Sequence, residues 1–277
     1  MDFYIKIDAR PADEFSIVAE GRDFEICSKV EDHLLLNTYR EVLRSANKPI
    51  KPLSLHIDND IPIGKGCGSS AAARLAGIAL AVRFGKLRWT DEQIIGEASR
   101  REHHPDNASA CWMGGLTVAR MSENSADAQV IRIRPKGKWP LLLAVPEQSL
   151  STESARRVLP AQYSRADAVT NIQNSMLLLA AFAQGRPDLL SAALEDHIHE
   201  PYRAALCPLL PSLRQLKGKD EILGVALSGA GPSVLMFLNP RASMSKVRRI
   251  VGDHLSRSRL SAELISTSIT LKGAARE

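Results

Sequence analysis

Pro62-Ile63-Gly64-Lys65-Gly66-Cys67-Gly68-Ser69-Ser70-Ala71-Ala72 is the stretch on which the fold and chemistry of this chain turn. Three alternate glycines let the backbone bend tightly and bring its amides close to a ligand with no Cβ in the way. Two hydroxyls follow where an alanine-rich helix is expected, over 69–84. The unpaired N–H groups at the start of such a helix, with the positive end of its dipole, face whatever the loop encloses. Together these features make an anion site, with phosphate as its natural occupant. Either Ser69 or Ser70 can reach a magnesium ion bridging phosphates. The spacing is neither that of a Walker loop nor that of a dinucleotide fingerprint. An ordinary glycine turn with a serine cap is the plain alternative, and the length of the full run weighs against it.

Working outward, residues 3–8 and 14–19 read as short strands split by a turn at 10–13. Leu34, Leu35, Thr38, Tyr39, Val42 and Leu43 follow helical spacing over 33–45. A strand at 53–57 leads into the loop. Beyond the alanine-rich helix, a second helix is predicted over 91–102, with Thr90 as its N-cap. Residues 103–115 read as an irregular polar segment ending in a Gly-Gly turn. Paired strands follow at 116–121 and 130–133, with the polar stretch 122–128 between them. Pro135-Lys136-Gly137-Lys138 marks the boundary between a domain at 1–136 and another at 137–277. After it come a strand (141–145), helices (151–159, 166–184, 187–198, 208–217), strands (222–228, 233–238), a helix (243–256) and a strand (262–270). Strand-helix-strand-strand-helix-strand is the ferredoxin-like order, here with extra helices in the first crossover.

The 277 residues are 44% hydrophobic and 24% charged, an ordinary composition that can fill a core; at 5% aromatic, that core must rest on Leu, Ile, Val and Ala. The formal charge of +5 is scattered rather than gathered into a tail, which argues against nucleic-acid binding. Cys27, Cys67, Cys111 and Cys207 are too far apart in sequence for a zinc knuckle or redox pair, so reduced thiols are expected. No apolar run approaches the roughly 18 residues needed to span a bilayer. Met1-Asp2-Phe3-Tyr4-Ile5-Lys6 alternates like a strand rather than a signal peptide. A cytoplasmic location is expected, with no membrane partner.

The glycine-serine run resembles the phosphate loop of the GHMP kinases, the galacto-, homoserine, mevalonate and phosphomevalonate kinases, with Cys67 where that family usually carries Leu. The resemblance implies an α+β, two-domain GHMP kinase fold: an N-terminal ribosomal-protein-like α/β domain and a C-terminal ferredoxin-like domain. It implies ATP held by Pro62, Gly64, Lys65, Gly66, Cys67, Gly68, Ser69, Ser70 and Ala71. Glu102-His103-His104-Pro105-Asp106-Asn107, followed by Gly114-Gly115-Leu116, is similar to the homoserine kinase version of the family's next segment, with His103 in place of a glycine. As residues alone, solvated glutamates and a turn-capping Asp-Asn pair explain it equally well. As a family segment it implies that a helix glutamate holds Mg2+ with Ser70, Glu97 being favoured and Glu102 the alternative. Asp106 would meet the attacking hydroxyl, with His104 and Asn107 beside it.

Leu227-Ser228-Gly229-Ala230-Gly231-Pro232-Ser233 links two apolar runs as a hairpin turn would. It resembles the family's third, glycine-rich motif, which packs against the phosphate loop, and it puts Gly229 among the substrate-binding residues. Ser151-Thr152-Glu153-Ser154-Ala155-Arg156-Arg157-Val158-Leu159-Pro160 resembles a homoserine kinase segment in which Arg156 takes the substrate carboxylate and Thr152 lies at the catalytic centre. Pro201-Tyr202-Arg203 adds Arg203 as a second contact. A guanidinium fork suits a carboxylate because it can bind both oxygens at once. The implied reaction passes the γ-phosphate of ATP to L-homoserine, with Asp106, Glu97 and Thr152 as the catalytic set, and homodimers are common among relatives. The family's opening motif, of the type Pro-x-Ser-x-Asn-Leu-Gly-x-Gly-Phe-Asp, does not occur in the sequence; Met1-Asp2-Phe3-Tyr4 resembles the segment just after it. An open sheet edge is expected there. A kinase for another small alcohol, and a nucleotide-binding paralogue without catalysis, are the alternative readings.

Overall fold

The computed structural model describes residues 1–123 and 127–274. The polar stretch expected between paired strands at 122–128 thus falls partly, at 124–126, outside the described residues. Contacts divide the chain into two units. The N-terminal unit comprises Phe3–Ile63, Gly68–Ile133 and the chain from Thr270; the C-terminal unit comprises Met1–Asp2, Gly64–Cys67 and Arg134–Ile269. The boundary therefore falls at 133/134, close to the Pro-Lys-Gly-Lys stretch. At the far end of the expected span 137–277, the last described residues bond to the N-terminal unit. Gly115 N donates to Thr270 O at 2.8 Å and Ala274 N to Cys111 O at 3.0 Å.

In the N-terminal unit, strands β1 (Ile5–Pro11) and β2 (Ser16–Gly21) do not pair with each other. Both flank β3 (Leu53–Asn59), β1 antiparallel and β2 parallel. A short helix, α1 (Phe24–Cys27), follows β2. Helix α2 (Leu34–Ser45) buries Leu35, Thr38, Tyr39, Val42 and Leu43, as its helical spacing predicts, and Leu36 in place of the expected Leu34. Helix α3 (Ser69–Phe84) carries small residues on several sides and packs against α2. Gly77 marks the closest approach: a Cβ there would strike Leu35 O and lie 2.9 Å from Thr38 Cβ. Leu55 and Ile57 of β3 join Leu75 and Ile78 of α3 in the core.

Helix α4 (Asp91–Glu102) starts with a reciprocal cap: Gln93 N donates to Thr90 Oγ1 at 3.3 Å and Thr90 N to Gln93 Oε1 at 3.0 Å. The segment 103–115, expected to be irregular, instead contains helix α5 (Asp106–Met113). Its polar residues lie at its start, where Asn107 N donates to Asp106 Oδ1 at 2.6 Å. Ala108, Ser109 and Trp112 face inward. Strands β4 (Leu116–Met121) and β5 (Ala128–Ile133) form an antiparallel ladder.

In the C-terminal unit, strands β6 (Pro140–Val145), β7 (Ile222–Leu227), β8 (Val234–Leu238) and β9 (Glu263–Ser268) form an antiparallel sheet in the order β7-β8-β6-β9. That is the ferredoxin-like arrangement. The first crossover carries α6 (Thr152–Arg157), α7 (Arg165–Gln184), α8 (Leu190–Ala193), α9 (Glu200–Arg203) and α10 (Leu209–Arg214); α11 (Met244–Arg257) makes the second. One core joins Leu142, Val234 and Met236 of the sheet to Leu210 and Leu213 of α10 and Val247 and Val251 of α11. Phe182 of α7 packs on Trp139 and Phe237, with ring centroids 4.5 and 5.9 Å apart. The helix expected over 187–198 is corrected: a 3-10 turn at Pro187–Leu189 leads into α8, which ends at Ala193. The Asp196 carboxylate accepts from the N–H groups of Ile198, His199 and Glu200, giving the backbone an alternative to the helical ladder. The chain has two α+β domains, and no described helix is long and apolar enough to cross a membrane.

Gly77→Ala tests the α2–α3 contact. In an open helix the change would stabilise by about 1 kcal/mol. Here the added methyl meets a backbone carbonyl, so we expect a net loss of about 1–3 kcal/mol in urea unfolding.

Candidate active site

Gly64, Gly66 and Gly68 have φ of 71°, 77° and 78°, while Lys65 and Cys67 are not among the positive-φ residues. Alternation of this kind turns successive N–H groups toward one concave side, an anion-binding arrangement. No side chain caps α3 at Gly68, so the helix start adds its free amides. The loop is pinned at both ends. Ile63 N donates to Asp23 Oδ2 at 2.9 Å in the N-terminal unit. In the C-terminal unit, Leu150 N donates to Gly64 O at 3.2 Å and Lys65 Nζ donates to Glu147 O.

The glycine-rich turn between β7 and β8 lies directly on Gly66. Ser228 Oγ donates to Gly66 O at 2.9 Å. A Cβ at position 66 would strike Ser228 O and lie 2.6 Å from Gly231 O, and one at Gly229 would lie 3.1 Å from Gly66 O. Gly229 is thus placed against the loop backbone.

In the N-terminal unit, Ser70 Oγ donates to Glu102 Oε1 at 2.6 Å and Arg74 Nε to the same oxygen at 2.5 Å. Glu97, favoured from sequence as the partner of Ser70, is engaged elsewhere, by Arg100 and by Arg101 at 2.7 Å, and Arg101 also reaches Glu41. Burial works against the Glu97 charge, but the two guanidiniums outweigh it and hold the carboxyl below its usual range. The carboxylate beside Ser70 is Glu102. Asp106 opens α5 with its side chain 76% exposed and in contact with His104 Nδ1. Asn107 lies over the loop: a Cβ on Gly68 would come 3.6 Å from its Oδ1. The starts of α3 and α5 therefore meet.

In the C-terminal unit, Ser151 caps α6 by accepting from Ser154 N at 3.1 Å, which makes Thr152 the first residue of that helix. Arg203 is 9% exposed, and its Nε donates to Ala155 O at 3.1 Å. Arg203 therefore lies beside Arg156. Burial lowers its proton affinity and the Arg156 charge lowers it further, against the pull of Asp196. Sequence reasoning missed the two acids that build this corner. Asp196 holds the turn into α9; burial opposes its charge, but the bonds from His199 and from the Ile198 and Glu200 amides bring its carboxyl down to about 2. Glu200 is buried, accepts from Leu227 N at 2.6 Å and pairs with Arg214, and burial pushes its carboxyl up. Their signal was present in the sequence as two acids four residues apart before Arg203.

Comparison with known proteins places this geometry in a lineage. Residues 33–115 match the family model "GHMP kinases N terminal domain" and residues 178–257 match "GHMP kinases C terminal". The chain is 41% identical over 234 residues to a homoserine kinase of Solibacter usitatus, covering 84% of this chain and 76% of that one. It is 32% identical over 270 residues to a homoserine kinase of Deinococcus radiodurans, covering 98% and 87%. Among solved structures, homoserine kinase from Cytophaga hutchinsonii superposes with a TM-score of 0.76 at 20% identity, covering 97% and 87%. The L. major mevalonate kinase superposes at 0.70 and 16% identity, covering 99% and 87%, a likeness of fold.

Asp196 yields a pH test. A carboxyl with a depressed folded pKa adds stability above its unfolded value of 3.8 and loses it as pH falls toward about 2. Asp196→Asn is expected to lower urea stability by about 2 kcal/mol at neutral pH. The gap from the wild type should close as pH falls below 3.8; a gap of constant size would contradict the assignment.

Proposed function

The chain belongs to the GHMP kinases, among their homoserine kinases, and from that membership we propose how its own residues pass the γ-phosphate of ATP to the hydroxyl of L-homoserine, giving ADP and O-phospho-L-homoserine. It is an ATP-dependent small-molecule kinase. The observation that carries the amino-acid acceptor is the pairing of Arg156 with Arg203. Arg203 bonds to Ala155 O, next to Arg156, and two guanidiniums on neighbouring stretches suit a carboxylate, which sugars lack. Free thiols at all four cysteines suit a reducing compartment, and we place the enzyme in the cytoplasm.

The amides of 64–68 and the start of α3 hold the phosphates. Ser70 and Glu102 fit Mg2+: a hydroxyl and a carboxylate 2.6 Å apart are hard oxygen donors, and this ion takes most of its shell from water and phosphate. When bound, the ion supplies charge neutralisation on the phosphate oxygens. Asp106, exposed and oriented by His104, accepts the hydrogen of the acceptor hydroxyl and aims its oxygen. Because the phosphoryl-transfer transition state is loose, aim counts for more than deprotonation. Arg156 and Arg203 fix the carboxylate, with Thr152 one turn before Arg156 on the same helix. Asn107 lies beside Gly68 at the start of α3, and within the C-terminal unit Gly229 lies against Gly66.

ADP release with L-homoserine, set against a panel of small alcohols including mevalonate and galactose, tests the acceptor; a preference for any other member of the panel would overturn it. In the same assay Arg203→Ala should raise the homoserine KM by about tenfold or more while the ATP KM moves less than about twofold. Equal changes in both would count against the assignment.

The two glutamates separate cleanly. Glu102→Gln should lower kcat by about tenfold or more and shift activation to higher Mg2+, whereas Glu97→Gln should cost less than about threefold. The opposite ranking in a magnesium titration would return the metal to Glu97.

A further inference from the structure

Glu200 is 4% exposed on the one-turn helix α9, three residues before Arg203, and is tied at both carboxylate oxygens. Oε1 accepts from Leu227 N at 2.6 Å and Oε2 takes Arg214 Nη2. Leu227 ends β7, and the next residue, Ser228, donates its hydroxyl to Gly66 O at 2.9 Å. On the other side of α9, Arg203 Nε donates to Ala155 O at 3.1 Å, next to Arg156. All of these residues lie in the C-terminal unit. An unbroken line of contacts thus runs from the acceptor arginines through α9 and Glu200 to Leu227, Ser228 and the phosphate loop.

We propose that Glu200 is a positioning residue that couples the acceptor arginines to the phosphate loop, so that nucleotide and acceptor strengthen one another's binding. The inference rests on the kinase reading above. Each link resists slippage for a physical reason. Moving α9 away from β7 would leave the partly buried Leu227 N–H without its acceptor, an unfavourable state. Moving Ser228 drags or clashes with Gly66, because the two backbones are in contact too close to admit even a methyl group. A carboxylate that draws Arg203 into one position therefore fixes the loop, and by linkage a nucleotide that fixes the loop improves the arginine site by the same factor. The rival is a buried ion pair that merely braces the unit; it predicts lower stability and no change in coupling.

The test measures the Kd of a non-hydrolysable ATP analogue on the full chain by calorimetry, with and without saturating L-homoserine. The wild type is expected to bind the analogue about fivefold more tightly with homoserine present. In Glu200→Ala and in Ser228→Ala that ratio should fall to about one, whereas Glu200→Gln, which keeps an acceptor for Leu227 N–H, should retain most of it. An unchanged ratio in the two alanine variants, or no ratio in the wild type, overturns the proposal. If Glu200→Ala does not fold, Ser228→Ala decides alone, since it removes one partly exposed hydroxyl bond. ADP release by the wild type is measured in parallel: turnover with an unchanged ratio sinks only the coupling, whereas no turnover with homoserine sinks the kinase reading.

Discussion

A side chain at position 66 has nowhere to go. The carbonyls of Ser228 and Gly231 occupy the space a Cβ would need, and Ser228 Oγ closes the contact from the side. From that one crowded point the rest follows. The loop is held from outside by a second glycine-rich turn, so its curvature does not depend on a ligand being there to shape it. Pre-shaping matters because a loop that had to be ordered at the moment of binding would lose affinity to that ordering.

Charge is divided in a consistent way. Basic groups gather where the acceptor carboxylate is proposed to bind, and the acids near them, Asp196 and Glu200, bond to backbone amides and, for Glu200, to Arg214, while the Asp196 charge also acts on Arg203. The acids therefore build the corner chiefly through its backbone. In the N-terminal unit the partition runs the other way. Glu97 is consumed by its own helix, leaving Glu102 to face Ser70.

Much of this was legible in the residues. The glycine alternation predicted the loop, apolar spacing predicted α2 and the faces it buries, and the order of elements predicted the ferredoxin-like sheet. The rest was hidden for identifiable reasons. Helix α5 begins with its polar residues, so its first turn imitates a loop until Ala108 and Trp112 are seen to face inward. The helix expected through 198 stops early because a single aspartate captures three amides, an effect that periodicity does not register. That Glu97 is held by arginines of its own helix was in fact readable. Arginines three and four positions after Glu97 are its natural helical partners, whereas Glu102 has no arginine at either spacing. How β1 and β2 flank β3 could not be read at all, since a turn between two strands looks the same whether or not they pair.

The return of residues 270–274 to the N-terminal unit has a consequence for biogenesis. Thr270 O receives Gly115 N, Ala274 N reaches Cys111 O, and Gly273 presses against the Trp112–Met113 backbone at the far end of the helix that Asp106 begins. Those residues are made only after the rest of the C-terminal unit. The first-made half is thus born incomplete and must wait, with one wall missing, until translation has passed the C-terminal unit.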